Sequence, residues 1–342
     1  MKAMRLHGVH DIRREPRPLV LEEVPVPRPG PDQLLIRVLA CGVCHTEIDE
    51  IEGRTPPPDY PVVPGHEVVG TIVDAGVDAD RSRIGTRVGV GWFFSSCGAC
   101  RFCVEGNENL CPDFKATGRD ADGGYAQYMK VPSGSAFPVP EHLGDTAAAP
   151  LLCAGAIGYR SLRLTGVKDG DLLGLTGFGG SAHLVLKMVR NVYPGTDVFV
   201  FARDPGEREF ALELGAVWAG DTSQRSPVKL NSVIDTTPAW KPVVEAMRNL
   251  APGGRLVINA IRKENADREC LLTLDYAEDL WMEKEIKSVA NVCRRDISEF
   301  LNLAAEMKLS PEVTEYALDE ANLALARLRG GGVRGAGVLR ML

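Results

Sequence analysis

Through the first forty or so residues, polar and apolar positions alternate in short runs. Val20-Leu21-Glu22-Glu23-Val24 and Leu34-Leu35-Ile36-Arg37-Val38 are separated by prolines at 25, 27, 29 and 31, the pattern of short strands and turns in a β-barrel-like domain. From about residue 171 the pattern changes. Asp171-Leu172-Leu173-Gly174-Leu175-Thr176 reads as a strand and Gly177-Phe178-Gly179-Gly180-Ser181-Ala182 as a tight turn. Val185, Met188, Val189 and Val192 then recur at i, i+3, i+4 and i+7, which predicts the buried face of a helix. Alternation continues with a strand over 198–201, a helix over 207–214, a strand over 232–235, a helix around 243–250, a Pro252-Gly253-Gly254 turn and a strand over 255–259. Repeated βα units of this length predict an α/β fold with a parallel, doubly wound sheet following the β-barrel-like part.

Composition narrows the class. With 342 residues, 44% hydrophobic and 25% charged, the chain can fill a sizeable core and is long enough for two domains. Lys2, Arg5, Arg13 and Arg14 dot an N-terminus without an apolar run, and no later window reads as a membrane span. The expectation is therefore a cytoplasmic protein with no membrane partner. A formal net charge of −7 offers no basic stripe, which argues against a nucleic-acid partner.

The nine cysteines carry the chemistry. Cys97, Cys100, Cys103 and Cys111 follow a C-x-x-C-x-x-C-x7-C spacing, and four thiolates on so short a loop can wrap one tetrahedral Zn²⁺. Two-residue spacings are too tight for good disulfides. Such a closed site is structural. Cys41 and Cys44 form a C-x-x-C, but its surroundings read as all-β with Gly65-His66-Glu67 following, not as the thioredoxin-like βαβ unit of a redox dithiol, so Cys41 is read as a core residue. Cys44, His66, Glu67 and Cys153 are metal-ligand types on separate segments. Singly they are unremarkable; their order around a four-cysteine lobe and before a dinucleotide turn makes them candidates. That turn is G-x-G-x-x-A. Gly177, Gly179, Gly180, Ser181 and Ala182 would let backbone N–H groups at a helix N-terminus meet a pyrophosphate.

On Gly42-Val43-Cys44-His45-Thr46, Gly65-His66-Glu67, the four-cysteine lobe, Gly123-Gly124-Tyr125-Ala126, Cys153-Ala154-Gly155 and the Gly177 turn, the chain resembles a zinc-containing alcohol dehydrogenase of the medium-chain dehydrogenase/reductase superfamily over essentially its whole length. The resemblance implies a GroES-like β-barrel catalytic domain over 1–154 with the zinc lobe at about 92–112. A Rossmann domain over 155–295 and a C-terminal return over 296–342 would follow, the latter with a helix carrying Leu318, Ala321, Leu325 and Leu328 and a last strand at 337–339. The implied reaction is reversible hydride transfer between a small-molecule alcohol and NAD or NADP, in a homodimer or homotetramer. Polyol or aldehyde-type zinc dehydrogenases, and more remotely a zinc-free quinone or enoyl reductase, are the alternatives.

The resemblance also implies roles. Cys44, His66 and Cys153 would hold a catalytic zinc with one position open, where the metal acidifies an alcohol so that its carbinol carbon can release a hydride to the nicotinamide. Glu67 would lie close to that metal, and Glu47 would accept a hydrogen bond from the His66 ring. Thr46 would pass the alcohol proton toward the cofactor ribose, with Asp49, at a position where the family often has histidine, as a next acceptor near the surface. Ile157 stands where many members have threonine. Trp92 and Phe93 either wall the substrate pocket or are plain core aromatics. NAD-selective dinucleotide folds place an acid about twenty residues past the glycine turn; that position is Ala202. Arg203 follows, and its guanidinium suits a 2′-phosphate, so the local chemistry leans to NADP. Asp204, two residues past Ala202, would serve the ribose of NAD after a small shift of the strand end.

Overall fold

The computed structural model describes residues 1–330 and 335–341, which gather into two compact units, 1–156 with 292–342 and 157–291. In the first unit a seven-stranded sheet is organised around the strand Gln33–Val43. That strand pairs antiparallel with Val68–Ala75, and shares its other edge between Tyr128–Pro132 and Ala336–Arg340. It runs five residues past the predicted end at 38 and stays buried along most of its length instead of alternating. The reason is tertiary: the helix Ala321–Arg329 lies against it, and Leu34, Ile36, Cys41, Val68, Ile72, Met129, Leu325 and Leu339 form one core. Cys41 is fully buried there, as expected. Leu318 falls in a short 3₁₀ turn before the closing helix, not in the helix itself.

The second unit is a six-stranded, wholly parallel sheet. Its spatial order is Trp218–Gly220, Asp197–Phe201, Leu172–Thr176, Leu230–Asp235, Leu250–Ile258, Glu285–Ser288. The first strand in sequence thus lies in the middle, and the winding reverses between Leu172–Thr176 and Leu230–Asp235. In open α/β sheets the crevice at the carboxyl ends of such a strand pair is where ligands bind. The helix Gly180–Val192 buries Ala182, Leu184, Val185, Leu186, Met188 and Val189, whereas Val192, its last residue, is 40% exposed at the helix end. The predicted turn at 252–254 is a bulge inside Leu250–Ile258: Leu230 pairs with Leu250 and Ser232 with Arg255, so the intervening residues loop out and Gly253 takes φ 70°. Among the described residues no helix is long and apolar enough to cross a membrane.

Immediately after Gln33–Val43, Cys44 caps the helix His45–Ile51. Thr46 to Ile51 are all buried, and no basic residue sits in the last turn. Acids buried on one short helix need partners. Asp49 finds Arg54, whose Nε donates to Oδ1 at 2.5 Å. Arg54 also pairs with Glu52, which meets Arg329 at 3.0 Å. Asp49 is therefore 4% exposed and ion-paired, not the surface group expected from the sequence. Arg54→Ala leaves that buried carboxylate short of its partner and should lower unfolding stability by about 1–3 kcal/mol, with Asp49→Asn in the same chain recovering much of the loss. Urea denaturation measures this; an unchanged midpoint in Arg54→Ala would mean that other contacts hold Asp49.

Candidate functional site

The cysteine lobe stands on a two-stranded base, Phe93–Ser95 against Lys115–Ala116. Its sulfurs converge: Cys97–Cys103 at 3.9 Å, Cys100–Cys103 at 3.6 Å and Cys97–Cys111 at 3.5 Å. Zinc–sulfur bonds of about 2.3 Å in a tetrahedron put sulfurs about 3.8 Å apart, so the four thiols fit a closed zinc site. Backbone N–H groups of Ala99 and Cys100 aim at Cys97 Sγ and hold its thiol down to about 6, readying it as a ligand. Arg294 Nε donates to Glu108 Oε1 at 2.8 Å and ties the lobe to the helix Arg294–Glu306.

A second cluster is assembled from three distant segments. Cys44 comes from the end of the central strand, His66 and Glu67 from the turn before Val68–Ala75, and Cys153 from the end of the 3₁₀ turn Ala149–Leu152. One ligand atom from each lies within 4.8 Å of all the others. His66 is placed by Gly65, whose φ of 99° and contact with Tyr125 leave no room for a side chain: a Cβ there would stand 2.4 Å from the ring. Glu47 is fully buried and uses both oxygens. Oε2 accepts the Cys44 N–H at 2.8 Å, and Oε1 accepts from His66 Nδ1 at 2.5 Å. With Nδ1 so engaged, His66 Nε2 is left buried with no hydrogen-bond partner, pointing among two thiols and a carboxylate. That orphaned nitrogen fits a metal ligand, and the donor set fits zinc.

The same burial shapes the charges. The hydrogen-bond contact with the Cys153 thiol, 3.9 Å away, and His66 nearby hold the Cys44 thiol well below its ordinary range although burial opposes this. Burial pushes Glu67 well up, with Cys44 adding to it. Thr46 Oγ1 lies 3.6 Å from Cys44 Sγ. Trp92, in the bend before the strand Phe93–Ser95, stands edge-on to His66 with ring centroids 5.0 Å apart, whereas Phe93 packs on Phe114 at 5.8 Å. Sequence reading overlooked Glu50. It is 1% exposed, Oε1 has no partner, and burial together with Glu47 pushes its carboxyl well up. An acid on a short helix ordinarily reads as a solvent-facing residue, so no local signal marked it.

In the second unit Gly177 adopts φ 76° and donates its N–H to Phe201 O at 2.8 Å. Gly179 caps the helix Gly180–Val192, and a Cβ on either Gly179 or Gly180 would meet no atom within 4 Å. The result is an open cradle at the positive end of a helix. Ser181 Oγ accepts from Asn259 Nδ2 at 3.3 Å, and Ala182 is fully buried beneath the cradle. At the end of Asp197–Phe201, Ala202 is buried and Arg203 exposed. Asp204 does not move to the strand end. Its Oδ1 accepts the N–H groups of Gly206 at 2.6 Å and Glu207 at 3.3 Å, capping the helix Pro205–Glu213. A further group that sequence reading did not single out is the buried pair Asp235 and Lys263, 28 residues apart.

The comparisons with known proteins agree with this geometry. The family model described as alcohol dehydrogenase GroES-like domain matches residues 30–141. A probable alcohol dehydrogenase, AdhA, of Mycobacterium tuberculosis (strain CDC 1551 / Oshkosh) is 41% identical over 322 residues, covering 92% of this chain and 90% of that protein. An alcohol dehydrogenase of Geobacillus stearothermophilus is 31% identical, covering 94% of this chain and 96% of its own. Among solved structures, a cinnamyl alcohol dehydrogenase of Sorghum bicolor superposes with a TM-score of 0.81 at 28% identity, over 98% of this chain and 97% of that one. Similarity of this extent spans the barrel, the lobe and the parallel sheet together, and the chain belongs to the zinc-containing alcohol dehydrogenases of the medium-chain dehydrogenase/reductase superfamily.

Proposed function

We propose that the protein interconverts a small alcohol and its aldehyde or ketone, using a nicotinamide dinucleotide, with one zinc at Cys44, His66 and Cys153 and a second in the lobe. The observation that carries this reading is His66 Nε2, buried without a partner among Cys44, Cys153 and Glu67. When bound, the zinc supplies Lewis acidity toward the alcohol oxygen and the nicotinamide supplies the hydride acceptor. The rest falls to the chain. Glu47 fixes the His66 ring and the Cys44 backbone, so both ligands are held before substrate arrives. Thr46, one residue from the Glu47 anchor and beside Cys44 Sγ, would take the alcohol proton and hand it on toward a bound cofactor. Trp92, held against His66, limits the space open to the substrate. A zinc-free reductase of the same fold would have no use for this donor set.

Arg203, exposed at the end of the second strand, and Asp204, committed to its helix cap, support NADP over NAD. Six of the nine cysteines lie in the two clusters and none forms a disulfide, which suits a reducing compartment such as the cytoplasm. The edge strand Glu285–Ser288 is exposed throughout, near exposed Tyr276, Trp281 and Met282, which supports a homodimer or homotetramer built on that edge.

Elemental analysis should find about two zinc ions per chain. Cys44→Ala should remove one and abolish alcohol oxidation in a chain that still folds and binds cofactor, while Cys100→Ala should remove the other and mainly lower the melting temperature. Thr46→Val should lose about two to four orders of magnitude in turnover and Thr46→Ser should keep most of it. Full activity in Cys44→Ala would overturn the assignment. For the cofactor, Arg203→Ala should raise KM for NADP and leave KM for NAD nearly unchanged; a wild-type enzyme that clearly prefers NAD refutes that choice. Sedimentation at the mass of a single chain would dismiss the oligomer.

A further inference from the structure

At the carboxyl edge of the parallel sheet, where the winding reverses, Lys263 is buried to 8% exposure against a fully buried Asp235. A lysine normally extends its ammonium to water, and burying one is unfavourable unless every proton is used. Here every proton is used: Nζ donates to Asp235 Oδ2, to Thr237 O at 2.8 Å and to Ala239 O at 3.0 Å. No donor remains for a phosphate. Asp235 Oδ1 accepts from Thr237 Oγ1 at 2.8 Å and from its N–H at 3.2 Å. The pair therefore ties down the 236–239 loop through the carbonyls of Thr237 and Ala239.

That loop braces the glycine turn. Thr236 donates both its N–H and its hydroxyl to Thr176 O, each at 3.0 Å. A Cβ on Gly177 would stand 2.9 Å from Thr237 Cγ2 and 3.0 Å from Thr236 Oγ1, so the loop and the turn are in contact. A second tie runs from the same place. Asn259 donates its N–H to Asp235 O at 2.7 Å and its side-chain amide to Ser181 Oγ in the first turn of the dinucleotide helix. The loop held by the ion pair and the backbone carbonyl of Asp235 thus both lead to the cradle.

We propose that Asp235 and Lys263 act as a positioning pair that sets the Gly177 turn and the first turn of the Gly180–Val192 helix for the cofactor pyrophosphate, governing dinucleotide affinity and not the chemical step. The proposal rests on the dinucleotide reading of that cradle. Lys263→Met should weaken binding of the reduced cofactor on the order of tenfold, as loss of a group that orients direct ligands does, with kcat at saturating cofactor and KM for the alcohol changed by less than about twofold. Fluorescence titration of the zinc-loaded enzyme with NADPH and NADH, steady-state kinetics and thermal melting provide the readouts. Asp235→Asn combined with Lys263→Met removes the uncompensated charge, so its melting temperature should move back toward wild type while cofactor binding stays weak. Wild-type affinity in Lys263→Met, or affinity that returns together with the melting temperature in the double variant, overturns the proposal. If Lys263→Met does not fold, the double variant decides: weak binding supports the pair's role and wild-type binding refutes it. Failure of the unmodified enzyme to bind either nucleotide would instead overturn the dinucleotide reading, and the proposal with it.

Discussion

One buried carboxylate organises the cluster of Cys44, His66, Glu67 and Cys153. Glu47 is fully removed from water, and a carboxylate in that position is tolerable only because each oxygen has a donor: the Cys44 N–H on one side and His66 Nδ1 on the other. The first bond closes the N-terminal turn of His45–Ile51 and so fixes where Cys44 ends the central strand. The second selects the His66 tautomer and turns Nε2 toward the thiols. Move Glu47 and both ligands lose their reference point. Asp49 and Glu50, on the same short helix, are drawn into the interior with it, and the Arg54 and Arg329 pairs are the means by which the fold accommodates charge at the end of that helix.

The two ligand clusters that we propose hold zinc bring four donor side chains together by different routes. The lobe draws all four thiols from one loop, with backbone N–H groups of that loop aimed at the sulfurs. Its geometry is largely local. The other cluster takes ligands from a strand end, a glycine turn and a 3₁₀ turn more than a hundred residues from the first, so it exists only once the barrel has closed. A local site suits a structural role; a site assembled from three segments, on a rigid strand and a capped helix, is where a position for substrate can be left open.

In the parallel sheet the glycine turn is similarly a surface feature that depends on what lies beneath it. Its glycines give a cradle free of side chains; beneath it Thr236 donates to Thr176 O and Thr237 donates to Asp235 Oδ1. Asp204 shows how neighbouring demands compete for one carboxylate. The helix Pro205–Glu213 starts directly after it, two N–H groups need an acceptor, and the side chain is taken by the cap.

The sequence by itself determined the fold class, the strand–turn–helix setting of Gly177 and the four-cysteine lobe, because each is written in local periodicity or in spacings of a few residues. It also gave Cys44, His66, Glu67 and Cys153 as a set, though only through their order along the chain. Tertiary structure decided the rest. The central strand is buried beyond its alternating stretch because a helix from residues 321–329 covers it, and Asp49 lies inside because Arg54 waits there. Phe93 turns toward Phe114 while Trp92, in the bend just before that strand, meets His66. Lys263 meets Asp235 across 28 residues. Local propensities act over a turn or two of chain, whereas the burial of a charge depends on which distant segment folds over it, and no window of the sequence contains that information.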